Sequence, residues 1–238
     1  MKKPLIGITT SMTSSDGRIA RQTLGHACVA AIERAGGCPL LMPMVRGRSA
    51  LNPLVEALDG LMITGGPGVV DGLEGELPED LPQVQPDRAR SDLWAYEGAA
   101  ARDLPILGVC YGMQFINARH GGTIYGDVQV QKGVGPHSAK RNQGCPVRHG
   151  VVVTPGTVLG GLVAAGGSPV EANSSHIQAV ARAGDGLAVN AVSEDGLIEG
   201  VERDNGRIMG VQWHPENMPG TVWDRIFENL IEQAARRV

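Results

Sequence analysis

The sequence predicts an α/β fold: an open, mostly parallel sheet with helices on both faces, and extra antiparallel strands in the C-terminal half. Three observations carry this. Short apolar runs alternate with segments of helical period through about residue 120. Glycine and proline punctuate the ends of those runs. Beyond residue 123 the segments become short and extended, with turn residues between them.

The elements follow in order. "PLIGIT" (4–9) reads as a buried strand. Residues 22–35 carry apolar side chains at helical spacing, and "GG" at 36–37 ends that helix. "CPLLMP" (38–43) is a second strand, "LNPLVEAL" (51–58) a short helix, and "DGLMIT" (59–64) a third strand stopped by "GGPG". Residues 71–91 are polar, hold three prolines and read as a long surface loop of the kind that covers a site. Helix returns at 92–102, strand at 105–109 and helix at 111–120. "TIYGDVQVQ", "HGVVVTP", "PVEANSSH", "LAVNAVSED", "LIEGVERD" and "IMGVQWHP" are the extended segments of the second half. Residues 221–236 form a terminal helix whose stripe of Val222, Ile226, Phe227, Leu230 and Ile231 docks on the core. No repeat or linker divides the chain, so residues 1–238 read as one domain.

Composition narrows the function. The 238 residues are 42% hydrophobic and carry a formal net charge of −4, which opposes a broad nucleic-acid footprint. No apolar run is long enough to cross a bilayer. "MKKPLIGITT" reads as a first strand rather than a leader, so the expected location is cytoplasmic. The four cysteines, Cys28, Cys38, Cys110 and Cys145, form no C-x-x-C pair and are expected as free thiols.

The chemistry centres on "PILGVCYGMQ" (105–114). A strand–Cys–helix turn presents Cys110 at the carboxyl end of a parallel strand, the edge where such sheets bind ligands. The following helix points free N–H groups at the thiol and favours thiolate. A cysteine nucleophile needs a base and a group to orient it. "GVQWHPE" (210–216) supplies His214 and Glu216, two apart across Pro215. The oxyanion of an acyl transfer needs N–H donors, and Gly66 of "ITGGPG" (63–68) and Tyr111 are the candidates. That glycine loop lacks the order of a phosphate-binding loop. Cys145 and His149 make at most half a metal site and read as loop residues. His26 and His120 read as packing or surface residues, and His137 lies in a Gly/Pro-rich loop that can approach the pocket.

In that order, "ITGGPG", "PILGVCYGMQ" and "GVQWHPE" resemble the class I glutamine amidotransferase superfamily. "PLIGIT", "AGGCPLLMP" (35–43) and "ANSSHIQAV" (172–180) are similar to its free-standing γ-glutamyl-γ-aminobutyrate hydrolase branch, the peptidase C26 family. The resemblance implies a flavodoxin-like sheet and a triad of Cys110, His214 and Glu216. It implies that Gln114 helps hold the substrate side chain and that Ser174, Ser175 and His176 lie beside a glutamyl pocket. The implied reaction is hydrolysis of a γ-glutamyl amide through a γ-glutamyl thioester, with no metal or organic cofactor. Three positions depart from the branch: Tyr111 stands where arginine is usual, Ala89 follows Arg88 where aspartate is usual, and Cys28 replaces a tyrosine. Two other readings stand beside this one: a glutaminase subunit passing ammonia to a separate synthase, and a non-catalytic binding protein on the same fold. The expected partner is a small γ-glutamyl substrate, with a homodimer left open and a synthase required only by the subunit reading.

Overall fold

The computed structural model describes residues 2–15, 19–164 and 166–236. The first half contains β1 (Leu5–Thr9), β2 (Ser11–Ser15), β3 (Ile19–Thr23), α1 (His26–Arg34), β4 (Cys38–Met42), α2 (Arg48–Ala57), β5 (Gly60–Ile63), β6 (Leu73–Glu74), α3 (Pro86–Ala101), β7 (Ile106–Val109) and α4 (Tyr111–Arg119). The second half contains β8 (Thr123–Tyr125), α5 (Val128–Lys132), β9 (Val147–Val153), α6 (Val158–Val163), β10 (Val170–Ser174), β11 (Ala179–Arg182), β12 (Ala188–Ser193), β13 (Ile198–Arg203), β14 (Ile208–Val211) and α7 (Asp224–Ala235).

The main path of the sheet runs β10-β9-β12-β13-β14-β7-β5-β1-β4. Its β14-β7-β5-β1-β4 half is parallel. The β10-β9-β12-β13-β14 half is antiparallel. Strands in the parallel half are buried on both faces, which is why they read as continuous apolar runs. Alternate side chains feed two cores. Ile6, Ile8, Met62, Leu107 and Val109 pack with α1, α6 and α7 on one face. Leu61, Ile63 and Ile106 pack with α2, α3 and α4 on the other.

Several boundaries differ from the sequence reading, each for a physical reason. Residues 22 and 23 belong to a β2–β3 hairpin, and α1 begins only at His26. The hairpin is polar and shows no alternation to reveal it. Helix α2 starts at Arg48, ahead of its first buried residue, Leu51. The polar loop ends at residue 85, because Pro86 opens α3 at a helix start, where its missing N–H costs nothing. "DRARS" looked like loop because the helix buries a polar face, with Arg88, Ser91 and Asp92 all inside. Residues 128–131, the end of the extended segment 123–131, lie instead in helix α5. The Asp127 carboxylate caps that turn by accepting from Gln129 and Val130 N–H, and left-handed Gly133 closes it. Helix α6 follows a Thr157 cap that the sequence reading passed over.

Candidate active site

Three adjacent parallel strands end at one edge of the sheet and deliver three of the predicted residues side by side. Strand β5 leads into Gly65 and Gly66, β7 into Cys110, and β14 into His214. Pairing of Ile63 with Gly108 and of Val109 with Val211 sets these strand ends at one level.

Cys110 sits at φ 51°, ψ −106°, a conformation rare for any side-chain-bearing residue. Its N–H donates to Val211 O at 2.7 Å, and its carbonyl accepts from Gln114 N–H at 3.1 Å, so the turn is held from both sides. The close packing of helix on strand needs Gly112. A Cβ there would stand 2.2 Å from the Ile63 carbonyl oxygen.

The thiol is buried, and burial alone would raise its pKa. A hydrogen bond with His214, the charge of that ring and of His176, and the Tyr111 N–H outweigh burial and lower it. For His214, burial opposes the charge, but the Cys110 thiolate and the Glu216 carboxylate hold the imidazolium pKa well above its usual value. His214 Nδ1 donates to Glu216 Oε1 at 2.7 Å, which leaves the other ring nitrogen for the sulfur. Asn173, a residue the sequence reading missed, fixes the backbone of His214. Its Oδ1 accepts from His214 N–H at 2.9 Å and its Nδ2 donates to His214 O at 3.0 Å. The arrangement can keep a thiolate beside an imidazolium and return a proton to a departing group.

Gly66 and Tyr111 flank the sulfur. Tyr111 opens α4, so its N–H has no intrahelical acceptor. Among the described residues the Gly66 N–H has no hydrogen-bond partner either. What orients the glycine loop is a second residue whose role the sequence reading missed, Arg88. It is fully buried, and its Nη2 donates to the carbonyls of Thr64 and Gly65, each at 3.0 Å. Its Nη1 donates to Ser11 Oγ at 2.6 Å and its Nε to Asp92 Oδ2 at 3.2 Å. With the carbonyls turned down onto Arg88, the loop's amides are free to face the cavity. The guanidinium also lies 4.3 Å from the centre of the Tyr111 ring. That stacking accounts physically for a tyrosine at the elbow. Burial raises the Asp92 carboxyl to about 6 against the pull of Arg88.

Cys110 opens into a cavity of about 230 Å³, with Gly66, Gln114, Lys140, Ser175 and His176 in its wall. Gln114 is buried and donates its amide to Gln178 O and to Gln212 Oε1, leaving its carbonyl oxygen. Gln178 pins the glycine-rich loop, with its amide bonded to both N–H and C=O of Val69 at 2.7 and 2.9 Å. Ser174 is turned away from the cavity. Its hydroxyl donates to His137 O at 2.7 Å, so it supports the wall from behind. Across the mouth, Arg141 binds Asp80 and Asp127, tying the loop before β9 to the polar loop before α3. Leu81 of that polar loop reaches the cavity wall.

Of the remaining histidines, His26 is exposed and His120 packs between Tyr96 and Arg203. His149, read as a loop residue, lies in β9 with its ring against that of His137. Cys145 is exposed, apart from it. All four cysteines are free, and burial pushes the Cys28 thiol up to about 12. No described helix is long and apolar enough to cross a membrane.

Comparison with known proteins places this geometry in a lineage. A protein of Schizosaccharomyces pombe, named provisionally as a glutamine amidotransferase, is 33% identical over 79% of this chain and 72% of its own. The γ-glutamyl-γ-aminobutyrate hydrolase PuuD of Escherichia coli K12 is 32% identical over 91% of this chain and 87% of its own. The glutaminase domain of Trypanosoma brucei CTPS with bound acivicin shares the fold, with a TM-score of 0.66, 14% identity and coverage of 98% and 94%. The sequence model of peptidase C26 matches residues 4–216, and the chain belongs to that family of glutamine amidotransferase-like hydrolases.

Proposed function

We propose that the chain, acting as one domain, hydrolyses γ-glutamyl amides of small amines or amino acids, γ-glutamyl-GABA among them. The observation that carries this is the Cys110–His214–Glu216 arrangement, whose cysteine lines a small cavity between the Gly66 and Tyr111 amides. A volume of about 230 Å³ suits a small substrate; drug-sized ligands occupy about 300–1,000 Å³.

In this reading the Cys110 thiolate attacks the side-chain carbonyl carbon. The new C–S bond drives charge onto the carbonyl oxygen, which Gly66 N–H and Tyr111 N–H receive. His214 gives its proton to the amine nitrogen as the C–N bond breaks, leaving a γ-glutamyl thioester. His214 then takes a proton from water. The hydroxyl adds to the thioester carbon, and the C–S bond breaks to regenerate the thiolate and release glutamate. Glu216 keeps the ring in the tautomer and orientation both steps need. Ser175 and the Gln114 carbonyl are the groups disposed to bind the glutamyl half, with His176 in the wall beside them. Lys140 also lines the cavity, its ammonium held by Asp80, and in this reading it would face a carboxylate-bearing amine.

The test is kcat/KM for the purified chain alone on γ-glutamyl-GABA, other γ-glutamyl amines and glutamine. A γ-glutamyl amide should exceed glutamine. Activity on glutamine only, rising sharply when a synthase is added, would favour the subunit reading instead.

A further inference from the structure

Behind the cavity wall, three imidazoles and one carboxylate converge. They come from four separate stretches: His137 from the loop before β9, His149 from β9, His176 from the turn after β10, and Glu199 from β13. His137 Nδ1 lies 3.2 Å from His176 Nε2. Glu199 Oε1 lies 3.3 Å from His176 Nε2, 3.6 Å from His149 Nε2 and 3.8 Å from His137 Nδ1. All four donor atoms fall within 4.8 Å of one another.

Each ring nitrogen on the far side is already committed to a protein acceptor. His137 Nε2 faces Asp195 Oδ2 at 2.9 Å, His176 Nδ1 faces Gln178 O at 2.9 Å, and His149 Nδ1 faces Gly150 O at 3.3 Å. Those acceptors take the ring protons. With the ring protons on that far side, the three inner nitrogens turn toward a common point beside Glu199, the outer arrangement typical of metal-binding histidines. Ser174 does not relieve them, because its hydroxyl proton goes to His137 O. At 3.2 Å, His137 Nδ1 and His176 Nε2 share either a proton or a cation, and the Glu199 carboxylate beside them favours positive charge at this point. Glu199 adds a second reason. It is fully buried; its Oε1 faces the three imidazoles at 3.3–3.8 Å, and among the described residues its Oε2 accepts no hydrogen bond. A buried carboxylate short of hydrogen bonds is costly unless a cation is beside it.

We propose that His137, His149, His176 and Glu199 bind one divalent transition-metal ion, Zn²⁺ by the chemistry of the donors. Three imidazoles and a carboxylate suit zinc rather than Mg²⁺ or Ca²⁺, which take oxygen ligands. At zinc–ligand bonds of about 2.0–2.1 Å, a tetrahedron has edges of about 3.3 Å. The separations of 3.2–3.8 Å already approach this, and the half-buried His149 has the least to hold it back from closing the rest. With four protein ligands the site is structural. It ties β9, β13 and the His137 loop to His176 in the wall of the cavity. His176 links it to the cavity wall, whereas Cys110, His214 and Glu216 are not among its ligands.

The test uses the full chain carrying Cys110→Ala, because a free thiolate there can bind zinc itself. The tag is removed and the protein is stripped with chelator and dialysed. Zn²⁺ is titrated calorimetrically, Co²⁺ is followed by its visible absorption, and melting is compared with and without Zn²⁺. One saturable equivalent of Zn²⁺, a four-coordinate Co²⁺ spectrum and a raised Tm are expected. Adding His149→Ala should weaken binding by more than about 100-fold, since loss of a mere supporting partner already costs about 10–100-fold. Glu199→Gln should do the same. If that buried variant does not fold, the His149→Ala comparison decides alone. No saturable Zn²⁺ binding by the folded, stripped protein would overturn the proposal. So would binding unchanged by His149→Ala, which would assign the metal to other groups such as the exposed Cys38 and Cys145.

Discussion

Replacing Arg88 with methionine should cost the protein both stability and rate, with a pH dependence that identifies the cause. Methionine keeps much of the buried volume but removes the guanidinium donors to Asp92, Ser11, Thr64 and Gly65. Breaking one side of a buried ion pair costs about 3–5 kcal/mol. The carboxylate left behind sets how that loss varies with pH. In the intact protein Asp92 titrates near 6, above its unfolded value of 3.8, so it already opposes folding as pH rises between those values. Without Arg88 its folded pKa moves higher still. Above pH 6 the variant's native state then holds one proton that its unfolded state has lost. Its stability should fall by about 1.4 kcal/mol per pH unit until the new value is reached, while that of the intact protein does not fall from this group. Urea unfolding at pH 5.5 and pH 8 measures this, and adding Asp92→Asn should flatten the difference. The rate should drop as well. Thr64 and Gly65 lose the donor that turns their carbonyls down, and misplacing a catalytic group by about 1 Å can cost about 10²-fold. A loss below about 1 kcal/mol, equal at both pH values and with kcat unchanged, would refute the assignment of Arg88 as the support of the glycine loop.

Three further outcomes are expected. The lowered Cys110 pKa and raised His214 pKa put a thiolate–imidazolium pair in place at neutral pH, so iodoacetamide should modify Cys110 at a rate that is flat around pH 7 and falls only in acid; a rate still climbing through pH 8–9 would show an ordinary thiol. His214→Ala should nearly abolish turnover, whereas Glu216→Gln should retain more, because the carboxylate acts only through the ring; steady-state kinetics showing the reverse order would exchange their roles. Gly66→Val should lower kcat by about 10²–10³ if one oxyanion donor is lost, since its Cβ would stand 2.3 Å from Arg88 Nη1 and push the loop off its support; a folded variant with full kcat would place the oxyanion elsewhere.

The parallel half of the fold was legible because its strands are buried on both faces and its turns are marked by glycine. The same clarity reached the strand ends, so Gly66, Cys110 and His214 could be named from local pattern. Polar packing was not legible. Arg88 and Asp92 are buried only because they satisfy each other and the loop carbonyls, a property of the folded neighbourhood and not of the "DRARS" stretch itself. Asn173 escaped notice for the same reason, since its two bonds reach a backbone 41 residues away. His149 looked like a loop residue beside Cys145, and only the pairing of β9 with β10 and β12 brings it to Glu199. Ser174 was grouped with Ser175 and His176 by sequence. Strand alternation turns it to the opposite side, where it meets His137.

The most direct test of the central claim is mass spectrometry of the wild-type chain, quenched in acid during turnover of γ-glutamyl-GABA and digested. The expected result is one added γ-glutamyl group, on the peptide carrying Cys110, and none on that peptide in Cys110→Ala, which should also be inactive. Turnover persisting in Cys110→Ala, or an acyl group found on Cys28, Cys38 or Cys145 instead, would contradict it.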